Sequence, residues 1–134
     1  MALLASMRVM HDEPPKEAIW RDVGNLDAIH PISQYVLLAL YVRPATRTLG
    51  RVELPETHVE EDRYQGRVGL VLKLGPQAFV DDGPAKFHGF KAEPGMWVVY
   101  RPSDGMRFQV GKRDCRLVTD VAIKMVLDGP DEVY

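Results

Sequence analysis

Leu37-Leu38-Ala39-Leu40-Tyr41-Val42 and Gly66-Arg67-Val68-Gly69-Leu70-Val71-Leu72-Lys73-Leu74-Gly75-Pro76 are the two stretches whose reading decides the fold. The first is an apolar run closed by Arg43-Pro44. Residues 32–42 carry so little polarity that the strand they predict must be covered on both faces. The second stretch is a strand punctuated by glycine, which fits tight curvature. Strand alternation assigns Val68, Leu70, Leu72 and Leu74 to a core face, and Arg67, Gly69, Val71 and Lys73 to the other. Between the two runs lies a loop, residues 46–65, rich in Gly, Pro, Thr and acid. A loop of about 20 residues inside a compact domain is uncommon and is usually functional or disordered. At its centre Val52 and Leu54 form a small apolar island just before Pro55.

Outward from this pair the chain reads as short strands between turn residues. Asp81-Asp82-Gly83-Pro84 is a strong turn signal and precedes Lys86-Phe87-His88-Gly89-Phe90. Residues 96–101 predict another buried strand, ended by the turn Pro102-Ser103-Asp104-Gly105. Residues 107–110 pair with 114–118 across Gly111-Lys112-Arg113, and 121–127 form a last strand before Asp128-Gly129-Pro130. Upstream, Asp12-Glu13-Pro14-Pro15 opens a short helix over 15–23, with acid near its start and proline in its first turn. Gly24-Asn25 stops it. Ala18, Ile19 and Val23 make a narrow apolar stripe flanked by Trp20, and a helix so short must pack on the sheet or on a neighbouring subunit. The expected class is all-β, a small antiparallel barrel with one short N-terminal helix. The segments are an N-terminal extension (1–34), a barrel (35–127) and a tail (128–134).

Bulk properties narrow the function. The chain has 134 residues, 46% hydrophobic and 27% charged, which are ordinary values for one domain. A net charge of −2 offers no basic stripe for nucleic acid. No apolar run approaches the roughly 18 residues of a membrane span. The single cysteine, Cys115, permits no internal disulfide, and a reducing, intracellular site is expected. His11, His30, His58 and His88 are scattered without metal-ligand spacing, and no phosphate-binding glycine loop is present. Asp81 and Asp82 as an acid–base pair, and Cys115 as a nucleophile, are both weaker readings than a turn and a buried strand residue. No catalytic residue, metal or cofactor is expected.

The order of motifs resembles the GroES-like chaperonin cofactor (co-chaperonin) family over residues 35–127. The matching pieces are Gly50-Arg51-Val52-Glu53-Leu54-Pro55, Gly66-Arg67-Val68, Leu74-Gly75-Pro76, Pro94-Gly95-Met96-Trp97-Val98-Val99-Tyr100 and Asp120-Val121-Ala122-Ile123. Pro15-Lys16-Glu17-Ala18-Ile19 and Glu61-Asp62-Arg63-Tyr64-Gln65-Gly66 look most like phage- and prophage-encoded members. The resemblance implies a GroES-like barrel and a partner-binding loop at Gly50, Val52, Glu53, Leu54 and Pro55. It also implies a roof hairpin that includes Asp82, Gly83, Phe87 and Phe90. The two phenylalanines are read as an exposed roof cluster or as local core, with core favoured. The implied activity is non-enzymatic: a ring of subunits that caps a GroEL-like chaperonin in the cytoplasm and assists folding, or assembly of phage capsid protein.

Three residues depart from the pattern, one of them Arg51, which replaces the family's second glycine and reduces loop flexibility. Glu53 sits in the middle of the docking tripeptide, where a buried carboxylate costs several kcal/mol unless paired. An extended segment turns alternate side chains to opposite sides, so Val52 and Leu54 can dock together with Glu53 outward. Met96 follows Gly95 where the family usually has Asp. An alternative expectation follows from Glu53, the phage-like look and the long N-terminal extension. In it the barrel decorates or cements a phage capsid, and the protein is found in the virion. Either way self-association is expected.

Overall fold

The computed structural model describes residues 13–42, 67–81 and 87–133. Within them the chain forms helix α1 (Pro15–Val23) and strands β1 (Tyr35–Leu40), β2 (Val68–Leu74), β3 (Trp97–Tyr100), β4 (Met106–Val110), β5 (Arg113–Thr119) and β6 (Ile123–Leu127). Short 3-10 turns, Pro102–Asp104 and Asp120–Ala122, precede β4 and β6. All six strands pair antiparallel in one sheet of order β4-β5-β1-β2-β3-β6. The all-β class and the short helix are therefore present. The expected barrel is not closed by hydrogen bonds: among the described residues β4 and β6 are the sheet's edges.

The connections force this open sheet to roll. From β5 to β6 there are four inter-strand steps, about 19 Å if the sheet were flat. Thr119 pairs with Tyr35 at the start of β1, whereas Ile123 pairs with Tyr100 at the far end of the sheet. The two residues are thus at diagonally opposite corners, yet only Asp120–Ala122 joins them. Four Cα steps reach at most about 15 Å even when extended, and a 3-10 turn is shorter. The corners must meet, and the joining segment is bonded to both: the Asp120 N–H donates to the Gln34 carbonyl beside Tyr35, and the Arg101 N–H donates to the Ala122 carbonyl beside Tyr100.

Rolling creates two apolar layers. The inner one gathers Val36, Leu38, Val71, Val98, Tyr100, Val118 and Ala122 with Ala78, Phe79 and Ala92 from the segment after β2. The outer layer holds Leu37, Ala39, Val68, Leu70, Leu72, Trp97 and Cys115 beneath Ile19, Val23 and Leu26. β1 is buried on both faces, as its unbroken apolar run requires. The helix therefore packs on its own sheet. Pro15 takes the first helical position, and Gly24, at φ 72°, ends the helix with its N–H on the Trp20 carbonyl. The β4–β5 hairpin tip docks on the helix C-terminus. Lys112 N–H donates to the Asp22 carbonyl at 2.9 Å, and Arg113 pairs with the Asp22 carboxylate at 2.7 Å. Gly111 is required there: its φ is 60°, and a Cβ would lie 2.2 Å from the Asp22 oxygen.

One expectation about β2 fails. Leu74 does not share a face with Leu72, and Val71 is core rather than the reverse side. Leu37 pairs with Lys73 and Leu38 with Val71, so Leu72 is an extra residue, a β-bulge. The bulge turns Lys73 to the helix side, where its Nζ donates to the carbonyls of Leu26 (2.7 Å) and Ile29 (2.8 Å). Leu74 then packs on the inner layer.

Candidate functional site

The segment after β2 carries the candidate site, an aromatic cluster at one end of the rolled sheet. It leaves β2 through Gly75, whose N–H donates to the Tyr35 carbonyl. A Cβ at Gly75 would sit 2.3 Å from the Ser33 oxygen, so only glycine fits. Gln77 N–H then donates to that same Ser33 oxygen at 3.0 Å. Phe79 follows with φ 62°, a left-handed conformation that costs a bulky residue about 1–2 kcal/mol. It is held by Asp120, whose buried carboxylate accepts the Phe79 N–H at 2.9 Å. Asp120 is itself tied to the sheet, its N–H donating to the Gln34 carbonyl.

The Phe79 ring organises the others. Phe87 lies edge-on to it at 5.1 Å and Phe90 at 5.4 Å, the geometry in which ring edges meet ring faces. Phe87 packs against the inner core, whereas Phe90 is 37% exposed and Val80 is 41% exposed. Asp81 pins the return of the chain. Its exposed carboxylate accepts the backbone N–H groups of Phe87, His88 (3.2 Å) and Gly89 (2.8 Å). Those bonds, Phe87's foremost, hold the Asp81 carboxyl below the usual aspartate range. The result is a small apolar knob of Phe79, Phe87 and Phe90, braced by Asp120 and Asp81.

Of the residues singled out by sequence, Phe87 and Phe90 are brought together, and the cluster is half core and half surface. Asp82, Gly83 and the loop residues Gly50, Val52, Glu53, Leu54 and Pro55 lie outside the described residues, as do His11 and His58. His30 and His88 are exposed. Among the described residues no group of three or more His, Cys, Asp or Glu side chains could hold a metal. Cys115 is buried in β5, its thiol donating to the Arg113 carbonyl, and burial pushes its pKa up to about 11. A thiol so placed is a poor nucleophile.

Sequence reasoning missed Phe79 and the brace from Asp120. Asp120 heads the motif Asp120-Val121-Ala122-Ile123, but nothing local shows that its carboxylate reaches a residue 41 positions away. No protein-family model and no curated protein matches the chain.

Proposed function

We propose that this chain is a non-enzymatic assembly protein of the co-chaperonin type, which self-associates into a ring and caps a chaperonin. The observation that carries the reading is the braced aromatic knob of Phe79, Phe87 and Phe90. It stands on a rolled antiparallel sheet, in the segment where the order of motifs expects a roof over the ring opening. The residues expected to grip the partner are Val52 and Leu54, with Glu53 turned away. Each such contact is weak, about −4 kcal/mol for a millimolar affinity, and several tethered copies multiply it. The test is size-exclusion chromatography with light scattering, using a group I chaperonin and ADP. Co-elution that Leu54→Asp abolishes supports the reading, and co-elution unchanged by Leu54→Asp overturns it.

A second reading, a capsid decoration or cement protein, draws on the apolar side chains near the sheet edges. Met106 is 65%, Val121 48%, Met125 46% and Val126 42% exposed. Edges of this kind pair readily with another chain. The test is presence in purified particles and loss of particle binding on deletion of residues 2–12. The deletion must stop short of α1, because Ile19, Val23 and Leu26 belong to the core.

A further inference from the structure

Residues 128–133 follow β6 and recross the sheet. Leu127, the last residue of β6, pairs with Trp97. Four residues on, the Asp131 carboxylate accepts the hydroxyl of Tyr41. Tyr41 continues the line of β1, its N–H donating to the Val68 carbonyl at 3.0 Å. β6 and β1 are three inter-strand steps apart, about 14 Å if the sheet were flat. The segment therefore runs across the strands rather than along one. It lies on the outer face, because Tyr41, Trp97 and Leu127 all belong to the outer layer, and Val133 packs on that same layer. A crosswise segment cannot join the hydrogen-bond ladder of the sheet. Side chains, Asp131 and Val133 among them, hold it down as a strap.

The seat of the strap is aromatic. The Tyr41 ring meets the Trp97 ring edge-on at 5.5 Å. With the strap in place both rings are buried. Tyrosine and tryptophan are the residues that most often carry the binding energy of protein interfaces. The connection to the strap is open: a Cβ at Gly129 would meet nothing within 4 Å, and Asp128 is exposed. An element that closes on its own chain through side chains can close on a neighbour with the same contacts, at little cost.

We propose that this seat takes residues 128–133 of a second copy, so that the chain self-associates by exchanging straps. The inference rests on the self-association proposed above and supplies its contact. The second copy contributes its Asp131 to the Tyr41 hydroxyl and its Val133 to the outer layer. A second copy is the occupant because the seat already matches this segment, a hydroxyl donor beside an apolar floor for an acid and an aliphatic residue two positions on. Exchange and closure make the same contacts, so concentration decides between them. A short connection gives closure an effective concentration of about millimolar, and copies held side by side match it. Shortening the connection removes the closed form. Four Cα steps from Leu127 reach at most about 15 Å, whereas two reach about 7 Å and fall short of β1.

The test compares the full chain with a variant lacking Gly129 and Pro130. In light scattering over a concentration series, the variant is expected to associate at about tenfold lower concentration than the parent. Excess Gly-Pro-Asp-Glu-Val-Tyr peptide, the sequence of residues 129–134, should return it to the lower mass. In fluorescence anisotropy the labelled peptide should bind the variant about tenfold more tightly than its Asp→Asn counterpart does. Tyr41→Phe in the variant should erase that gap. A folded variant that stays a monomer overturns the proposal. Association that the peptide does not reverse also overturns it, by placing the contact on another face, and leaves the ring reading standing. Absence of association in both chains overturns the two together. A variant whose tryptophan emission shows it unfolded would make the segment an integral part of the fold, and likewise overturns exchange.

Discussion

Replacing Asp120 with alanine removes the carboxylate that accepts the Phe79 N–H and holds that residue in its left-handed conformation. The N–H of Phe79 is buried and bonded at 2.9 Å to the Asp120 carboxylate. A hydrogen bond to a charged group contributes about 1.5–3 kcal/mol, and a buried donor left without a partner costs about 1–3 kcal/mol. These overlap, so Asp120→Ala is expected to lower stability by about 2–3 kcal/mol. Asp120→Asn keeps an oxygen acceptor and loses only the charge, about 1 kcal/mol. Urea unfolding followed by tryptophan fluorescence measures both, and an unchanged slope against denaturant shows that the midpoint shift is a stability change. The reasoning is refuted if Asp120→Ala costs no more than Asp120→Asn. It is equally refuted if both lie within about 0.5 kcal/mol of the parent, the range of an ordinary surface substitution.

Three further outcomes are expected. Lys73→Met should destabilise the chain by about 2 kcal/mol, because the Leu26 and Ile29 carbonyls lose their shared cation; a stabilised variant in the same urea assay would mean the bulge does not need this lysine. Cys115 should resist thiol reagents at pH 8 in the native state and react only on unfolding. Its folded pKa of about 11 lies above the ordinary 9.0, so its contribution to stability is complete below pH 9 and fades as the pH rises toward 11; rapid native labelling at pH 8 contradicts this. Asp81 has the opposite sign: its pKa is depressed from 3.8, so its bonds to the 87–89 backbone persist above that pH and are lost as the pH falls through the lower folded value. Amide chemical shifts of Phe87 and Gly89 should titrate together below pH 4 and stop doing so in Asp81→Asn.

Much of the architecture was legible because it is written in local pattern. Proline at the start and glycine at the end bracket residues 15–23, and the observed helix is Pro15–Val23. Gly111-Lys112 joins the strands read around 107–110 and 114–118. The apolar run of β1 announced burial on both faces. Phe87 and Phe90 were legible as an aromatic feature, but their organiser Phe79 was not, because its role depends on a backbone conformation that a bulky residue avoids when unsupported.

By itself, then, the sequence determined strand and helix identity, turn positions and the all-β class, since propensity, alternation and turn chemistry act over a few residues. Tertiary structure alone decided the diagonal roll that joins Thr119 to Ile123, the bulge that turns Lys73 toward the helix, the reach of Asp120 to Phe79 and the opposition of Arg107 and Arg116. Each depends on inter-strand register or on contacts between distant segments. A one-residue change of register reverses which face a side chain occupies, and the energy that selects the register lies in burial on both faces of the sheet rather than in any short stretch of chain.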